Sequence, residues 1–120
     1  MLKKDQYQRQ DSLKACFLKQ ETMKYTIEVT EEAKIDLSYF TAHERKMILT
    51  NIREQLSAEP FKETRNRKPL RQNPIAAWEL RVGIYRIFYD VHQEIVTVGV
   101  VSVGYKHHND VYIRGKRVTL

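Results

Sequence analysis

The stretch "WELRVGIYRIFYDV", residues 78–91, decides the fold of this chain. Apolar and polar residues alternate in each half, as they do in strands that bury one face, and the link at Val82-Gly83 predicts a tight turn. The stretch is therefore predicted to form two paired antiparallel strands. Its two arginines, Arg81 and Arg86, would lie inside this hairpin, where apolar alternation does not account for them.

Two helices are predicted before this hairpin. Thr30 is a helix-capping residue type and is followed by two glutamates, which suit the positive end of a helix. Thr41 and Glu44 stand three residues apart, which is the spacing of a capping box that opens a second helix. Pro60 is predicted to end that helix. The apolar stripes that the two helices would bury comprise Ala33, Leu37, Phe40, Ile48, Ile52 and Leu56.

The remaining strands complete an α+β domain. "MKYTIEV" at 23–29 alternates like a half-buried strand, "IVTVGVVSV" at 95–103 is typical of a central strand, and a last short strand is predicted at 111–113. The segment 61–75 contains two prolines and is predicted to be a loop. The expected fold is two N-terminal helices packed on a small antiparallel-rich sheet, in the order β-α-α-β-β-β.

Length and composition predict one globular domain with a basic surface. The chain has 120 residues and a net charge of +6, and segment 61–75 alone carries five basic residues against one acidic residue. We assign residues 1–22 to an extension, either a short helix or a mobile arm, and 23–120 to the domain. The single cysteine, Cys16, and the lack of a long apolar run predict a cytoplasmic protein without a membrane span.

No motif in the sequence predicts a metal or a cofactor. The four histidines lack the spacing of metal ligands, there is no nucleophile elbow, and the four glycines form no phosphate-binding loop. What remains is a set of basic and aromatic residues around the predicted strands, which would suit a phosphate chain such as RNA. This set comprises Arg65, Arg67, Lys68, Arg71, Arg81, Arg86, Lys106, His107, His108 and Tyr112. The alternative is that each strand arginine pairs with Glu79 or Asp90, while Tyr112 closes the core.

Two stretches of the chain resemble the RelE/ParE superfamily of bacterial toxins from toxin–antitoxin pairs. They are "NRKPLRQNPIAAWELRVGIYRIFYDV" and "VTVGVVSVGYKHHNDVY", and the resemblance extends over about residues 23–118. It implies a small sheet with two N-terminal helices, in agreement with the residue patterns. It also implies an acidic antitoxin as partner in a hetero-oligomer. In the RelE branch it implies a metal-independent cut of messenger RNA in the ribosomal A site.

The resemblance also implies roles for individual residues. Arg86 would bind the scissile phosphate and stabilise its developing charge, and Lys106 would assist the phosphate or the leaving group. Tyr112 would orient a base or take part in proton transfer. His108 has the side chain type best suited to acid–base work near neutrality. The other RNA contacts would come from Arg65, Arg67, Lys68, Arg71 and Arg81.

The sequence departs from the family at the general base. One branch has two lysines on the strand before the arginine, where this chain is read as having Ala77 and Glu79, and another has a glutamate where Lys68 stands. Glu79, His108 and Tyr112 all remain open as the base. Two other functions also remain open. One is inhibition of DNA gyrase in the manner of ParE, and the other is a decayed toxin that only binds an antitoxin.

Overall fold

The computed structural model describes residues 24–120. The strands and helices, numbered in chain order, are β1 (Thr26–Val29), α1 (Glu31–Leu37), α2 (Ala42–Leu56), β2 (Arg67–Pro69), β3 (Trp78–Val82), β4 (Tyr85–His92), β5 (Thr97–His107), β6 (Asp110–Ile113) and β7 (Lys116–Val118). A 3₁₀ turn, Gln93–Ile95, joins β4 to β5. No helix within residues 24–120 is both long enough and apolar enough to cross a membrane.

All seven strands form one sheet, and β5 is its organising strand. The order is β2-β3-β4-β5-β6-β7, and β1 also pairs with β5. Along one edge β5 pairs antiparallel with β4. The other edge is shared, because β1 runs parallel to residues 97–100 and β6 runs antiparallel to residues 105–107. The short gap between β1 and β6 is the place where α1 meets the sheet.

Both helices begin where the sequence places a cap. The Thr30 hydroxyl accepts a hydrogen bond from the backbone N–H of Ala33. At α2, the Thr41 hydroxyl accepts from the N–H of Glu44, and the Glu44 carboxylate accepts from the N–H of Thr41 at 2.8 Å. Each arrangement satisfies N–H groups that have no partner inside the helix. The predicted capping box is thus present.

The core lies between the two helices and one face of the sheet. It contains Ala33 and Leu37 from α1 and the stripe of α2 that the sequence predicted, together with sheet residues Leu80, Ile87, Tyr89, Val98, Val100 and Val103. The hydroxyl of buried Tyr89 donates a hydrogen bond to the backbone oxygen of Pro60 at 2.8 Å, and burial raises the pKa of this phenol. This bond provides the partner that a buried phenol needs.

The predicted α+β class is confirmed, with two helices packed against an antiparallel-rich sheet. Segment 61–75 is not wholly a loop, because Arg67–Pro69 forms β2 at the edge beside β3. The chain end carries two short strands, β6 and β7, where one was predicted. Between them Arg114 and Gly115 both have positive φ, as tight hairpin turns require. The predicted extension 1–22 lies outside the described residues, as does Cys16.

Two boundaries differ from the sequence prediction because of local backbone geometry. The helix α1 ends at Leu37, so Phe40 follows the helix, although its ring still packs against the core. The central strand begins at Thr97 and not at Ile95, because Val96 takes a left-handed conformation with φ 49° after the 3₁₀ turn. A β-branched residue in this region is uncommon, so alternation alone could not predict it.

We predict that Gly104→Ala lowers the free energy of unfolding by about 1–3 kcal/mol, a typical cost of forcing atoms into a packed site. The added Cβ would overlap the backbone oxygen of Tyr112 and lie 2.9 Å from Cγ1 of Ile113, because β6 passes closely over this glycine. Denaturant unfolding measures the change. Gly99→Ala on the same strand is the matched control, since its Cβ would meet only the His92 ring at 3.7 Å. Equal stability of the two variants would contradict the proposed close approach.

Candidate nucleic-acid interface

The sheet has a second face, on the side away from the helices, that carries most of the predicted strand cations. Opposite residues in an antiparallel pair point to the same face, and alternate residues along a strand share a face. The register pairs Lys68 with Glu79 and Arg81 with Arg86, so these four side chains lie on one face. Lys106 joins them, because it lies two residues after the partner of Arg86 on β5. We call this set of five residues the outer face.

Arg81 and Arg86 stand directly opposite each other, with a carboxylate between them. The Nε–H of Arg81 donates to Oε2 of Glu79 at 2.6 Å, and Nε of Arg86 lies 3.9 Å from the same oxygen. The side chains differ in exposure: 45% for Arg81, 10% for Arg86 and 6% for Glu79. The sequence alternative that the strand arginines pair with Glu79 therefore holds for both residues, for Arg86 across the strand pair and for Arg81 within its own strand.

Arg86 is fixed by the hairpin turn as well as by Glu79. Its Nη1 donates to the backbone oxygens of Gly83 at 2.8 Å and of Tyr85 at 3.0 Å. Burial lowers the pKa of the guanidinium, the Glu79 carboxylate opposes that shift, and the neighbouring Arg81 adds to it. The side chain is therefore a nearly buried cation that supports the β3–β4 turn, and the more accessible guanidinium of the pair belongs to Arg81.

Lys106 lies beside this arginine pair at the same end of the sheet. It is half-buried, and its backbone N–H donates to the backbone oxygen of Ile84 in the β3–β4 turn at 2.7 Å. The structure thus places Arg81, Arg86 and Lys106 on the same face of three adjacent strands, and phosphate binding by these residues stays a prediction.

Tyr112 and His107 lie on the other face of the sheet, and His108 lies at the turn after β5. Tyr112 pairs with Tyr105, which shares a face with core residue Val103, so its side chain is on the helix side of the sheet. The two tyrosine rings stack, with centroids 5.5 Å apart and an interplanar angle of 13°. The His107 and His108 rings have centroids 4.2 Å apart. His108 is exposed at the turn after β5, with φ 59°. The structure does not bring Tyr112 next to Arg86.

The basic residues of segment 61–75 have divided roles. Arg67 pairs with Leu80 and points to the helix side, where its Nη1 donates to the backbone oxygen of Gln55 near the end of α2. Arg65 and Arg71 are exposed. Lys68 lies on the outer face, and its Nζ is 3.8 Å from the exposed Glu63 carboxylate. Of these four residues, Arg67 is the one used inside the fold, which the sequence did not predict.

A buried carboxylate, to which the sequence analysis gave no role, holds the chain end in place. Asp36 accepts hydrogen bonds from the Ser102 hydroxyl at 2.7 Å, the Val103 N–H at 3.0 Å and Nε of Arg114 at 2.5 Å. The hydrogen bonds of Arg114 to the Asp36 and Glu32 carboxylates, with the charges of those carboxylates, raise the pKa of the guanidinium. A groove of about 620 Å³ runs beside this cluster, and none of the predicted site residues lines it. The sequence itself indicated that this carboxylate is buried, since Asp36 lies on the apolar stripe of α1 between Ala33 and Leu37.

Within residues 24–120, no three His, Cys, Asp or Glu side chains converge as metal ligands would. The side chains on the outer face are one carboxylate and four cations. This arrangement can bind phosphate oxygens through guanidinium and ammonium groups.

No family model matches the sequence, and no curated protein matches it either. Solved structures do. A chain of the toxin–antitoxin complex RelBE2 from Mycobacterium tuberculosis is 28% identical with a TM-score of 0.63, covering 72% of this chain and 95% of that chain. A chain of the intact Escherichia coli RelBE complex is 26% identical with a TM-score of 0.54, covering 70% and 99%. The isolated E. coli RelE toxin is 25% identical with a TM-score of 0.54, covering 71% and 87%.

These matches and the sequence motifs indicate the same fold. The chain is RelE-like in fold and sequence, and the solved structures that it resembles are RelE proteins of toxin–antitoxin systems.

Proposed function

We propose that this chain is the toxin of a toxin–antitoxin pair and that it inhibits translation by cutting messenger RNA in the ribosomal A site. The observation that carries the proposal is the outer face, where Arg81, Arg86 and Lys106 lie side by side on three adjacent strands. Its support from comparison is the likeness to RelE proteins at 25–28% identity. A row of cations with one accessible arginine suits a phosphodiester backbone.

The proposed reaction is the attack of an RNA 2′-hydroxyl on the neighbouring phosphorus. The 2′-oxygen forms a bond to phosphorus, the bond to the 5′-oxygen breaks, and a cyclic phosphate remains. A base takes the 2′-hydroxyl proton, and an acid gives a proton to the leaving 5′-oxygen. Negative charge develops on the phosphoryl oxygens, where cations held in place beforehand stabilise it most. Arg81 and Lys106 supply that charge directly, and Arg86 supplies it from its more buried position.

His108 is the residue we propose for proton transfer. It is exposed at the turn that directly follows the Lys106 strand, and imidazole is suited to acid–base work near neutrality. Glu79 is less suited, because its carboxylate is nearly buried and bonded to Arg81. The stacking of Tyr112 on Tyr105 favours a role for this phenol in holding the hairpin that carries His108.

The partner we propose is a cognate acidic antitoxin. Neighbouring structures are toxin–antitoxin complexes from M. tuberculosis and E. coli. The net charge of +6 suits both an acidic protein segment and RNA. The toxin and antitoxin would form a hetero-oligomer in the cytoplasm, and binding over the outer face would exclude RNA.

We predict that Arg81→Gln and Lys106→Gln each lower the rate of message cleavage about 10- to 100-fold, since each removes a cation from the transition state. Growth arrest on induction and mapping of message 5′ ends measure the effect. Arg53→Gln is the matched control, because it removes one positive charge from an exposed position on α2. Broken DNA with intact messages would instead support gyrase inhibition, and normal growth with wild-type protein would support a decayed toxin.

For Arg86→Ala we predict two effects together. Cleavage is lost, and the free energy of unfolding falls by about 2–4 kcal/mol, because the Gly83 and Tyr85 oxygens lose a donor and Glu79 loses a neighbouring cation. Denaturant unfolding and cleavage are measured on the same purified sample, and the cleavage rate is normalised to the folded fraction. Full toxicity of this variant would contradict the proposed function.

His108→Gln is predicted to lower the cleavage rate about 100-fold or more while leaving RNA binding unchanged, as expected for the loss of an acid–base group. Rates are measured on programmed ribosomes, and binding is measured with a short RNA that carries 2′-O-methyl groups and so resists cleavage. His92→Gln is the control, because His92 is exposed at the far end of β4. A wild-type cleavage rate in His108→Gln would exclude this role.

A further inference from the structure

Glu79 is a buried carboxylate that lies among the four cations of the outer face and directly opposite Phe88. Lys68 faces it on β2, and Arg86 approaches it from β4. Arg81, two residues further along its own strand, bonds to it at 2.6 Å. A carboxylate whose side chain is 6% exposed carries a large desolvation cost, and the surrounding cations offset that cost. We therefore assign Glu79 to the charge balance of the outer face and not to the packing of the core.

The contact with Arg81 leaves the outer end of that guanidinium free. Glu79 takes the Nε–H, whereas Nη1 and Nη2 have no hydrogen-bond partner among residues 24–120. Arginine presents five N–H donors in a planar fork, so one bond at Nε fixes the plane while the terminal donors still point outward. The same carboxylate also places a negative charge next to the position that a phosphate would take.

We propose that Glu79 is a built-in counter-anion of the outer face, which orients Arg81 and at the same time lowers the affinity of this face for RNA phosphates. The inference rests on the proposed function for the identity of the ligand. It assigns Glu79 as a positioning residue with two separable actions: its hydrogen bond directs the Arg81 fork, and its charge partly neutralises the Arg81 guanidinium, which weakens the attraction of that guanidinium for a phosphodiester. At close range and low ionic strength this neutralisation outweighs the gain from orientation.

Glu79→Gln separates the two actions, because the amide oxygen can still accept from Nε of Arg81 while the negative charge is gone. The variant is expected to bind a short 2′-O-methyl RNA about five- to tenfold more tightly than wild type at low salt. The gain should shrink as salt increases, because the charges are screened. Glu54→Gln removes the same charge from an exposed position on α2, and its affinity is expected to stay close to that of wild type.

A double-mutant cycle tests whether the effect passes through Arg81. In an Arg81→Gln background, Glu79→Gln should give at most a twofold gain, because the guanidinium that the carboxylate orients and neutralises is gone. Glu79→Ala removes both the charge and the hydrogen bond, so its gain is expected to lie between wild type and Glu79→Gln. Circular dichroism establishes that each variant is folded. Glu79→Ala takes the place of Glu79→Gln if the latter fails to fold.

RNA binding tests the role of Glu79, and message cleavage tests the nuclease function. Unchanged or weaker RNA binding in the folded neutral variants would overturn the counter-anion role, as would an equal gain in the Arg81→Gln background. Cleavage of messages by wild type is measured in parallel on ribosomes. If wild type cuts no messages while Glu79→Gln binds RNA more tightly, the proposed nuclease function fails and the role of Glu79 stands. If wild type cuts messages and the neutral variants gain no affinity, the reverse holds.

Discussion

The buried Asp36 carboxylate is the interaction on which the rest of this structure depends. It stands at the gap between β1 and β6 on the edge of β5, where the Val103 N–H would otherwise have no partner strand. The same carboxylate binds Ser102 and Arg114, so it joins α1, the central strand and the chain-end hairpin. A buried charge is tolerated only when it is well bonded, and here three donors satisfy it. The hairpin that begins beside Lys106 is thereby fixed to the core.

The outer face differs from the Asp36 cluster, because its positive charges exceed its one negative charge. Within it one carboxylate, Glu79, lies among Lys68, Arg81, Arg86 and Lys106. Charge balance is greatest near Arg86, which is nearly buried and bonded to backbone oxygens, and least at Arg81, whose side chain is 45% exposed. The electrostatic field available to a phosphate therefore comes mainly from the exposed cations, while the buried one keeps the turn in shape.

The sequence predicted the parts of the fold that depend on periodicity and local chemistry. The capping box at Thr41 and Glu44, the buried stripe of α2 and the two faces of the β3–β4 hairpin all follow from residue spacing. It did not predict the features that depend on register between distant segments. The pairing of β2 with β3 and the stacking of Tyr112 on Tyr105 are examples. For the site, it identified the cations but could not tell which were accessible, because exposure depends on those pairings.

Arg81 and Arg86 are the same residue type on the same face of the sheet, but their chemical environments differ. They occupy opposite positions in one strand pair, yet the turn at Gly83 provides backbone oxygens to Arg86 alone, and Glu79 lies two residues from Arg81 on its own strand. The family resemblance implies that Arg86 is the phosphate contact, whereas the geometry gives greater access to Arg81. The two fit one proposed site if Arg86 holds charge close beneath the phosphate and Arg81 makes the outer contact. In the proposed function, the charge at residue 79 would then set how strongly that site attracts RNA.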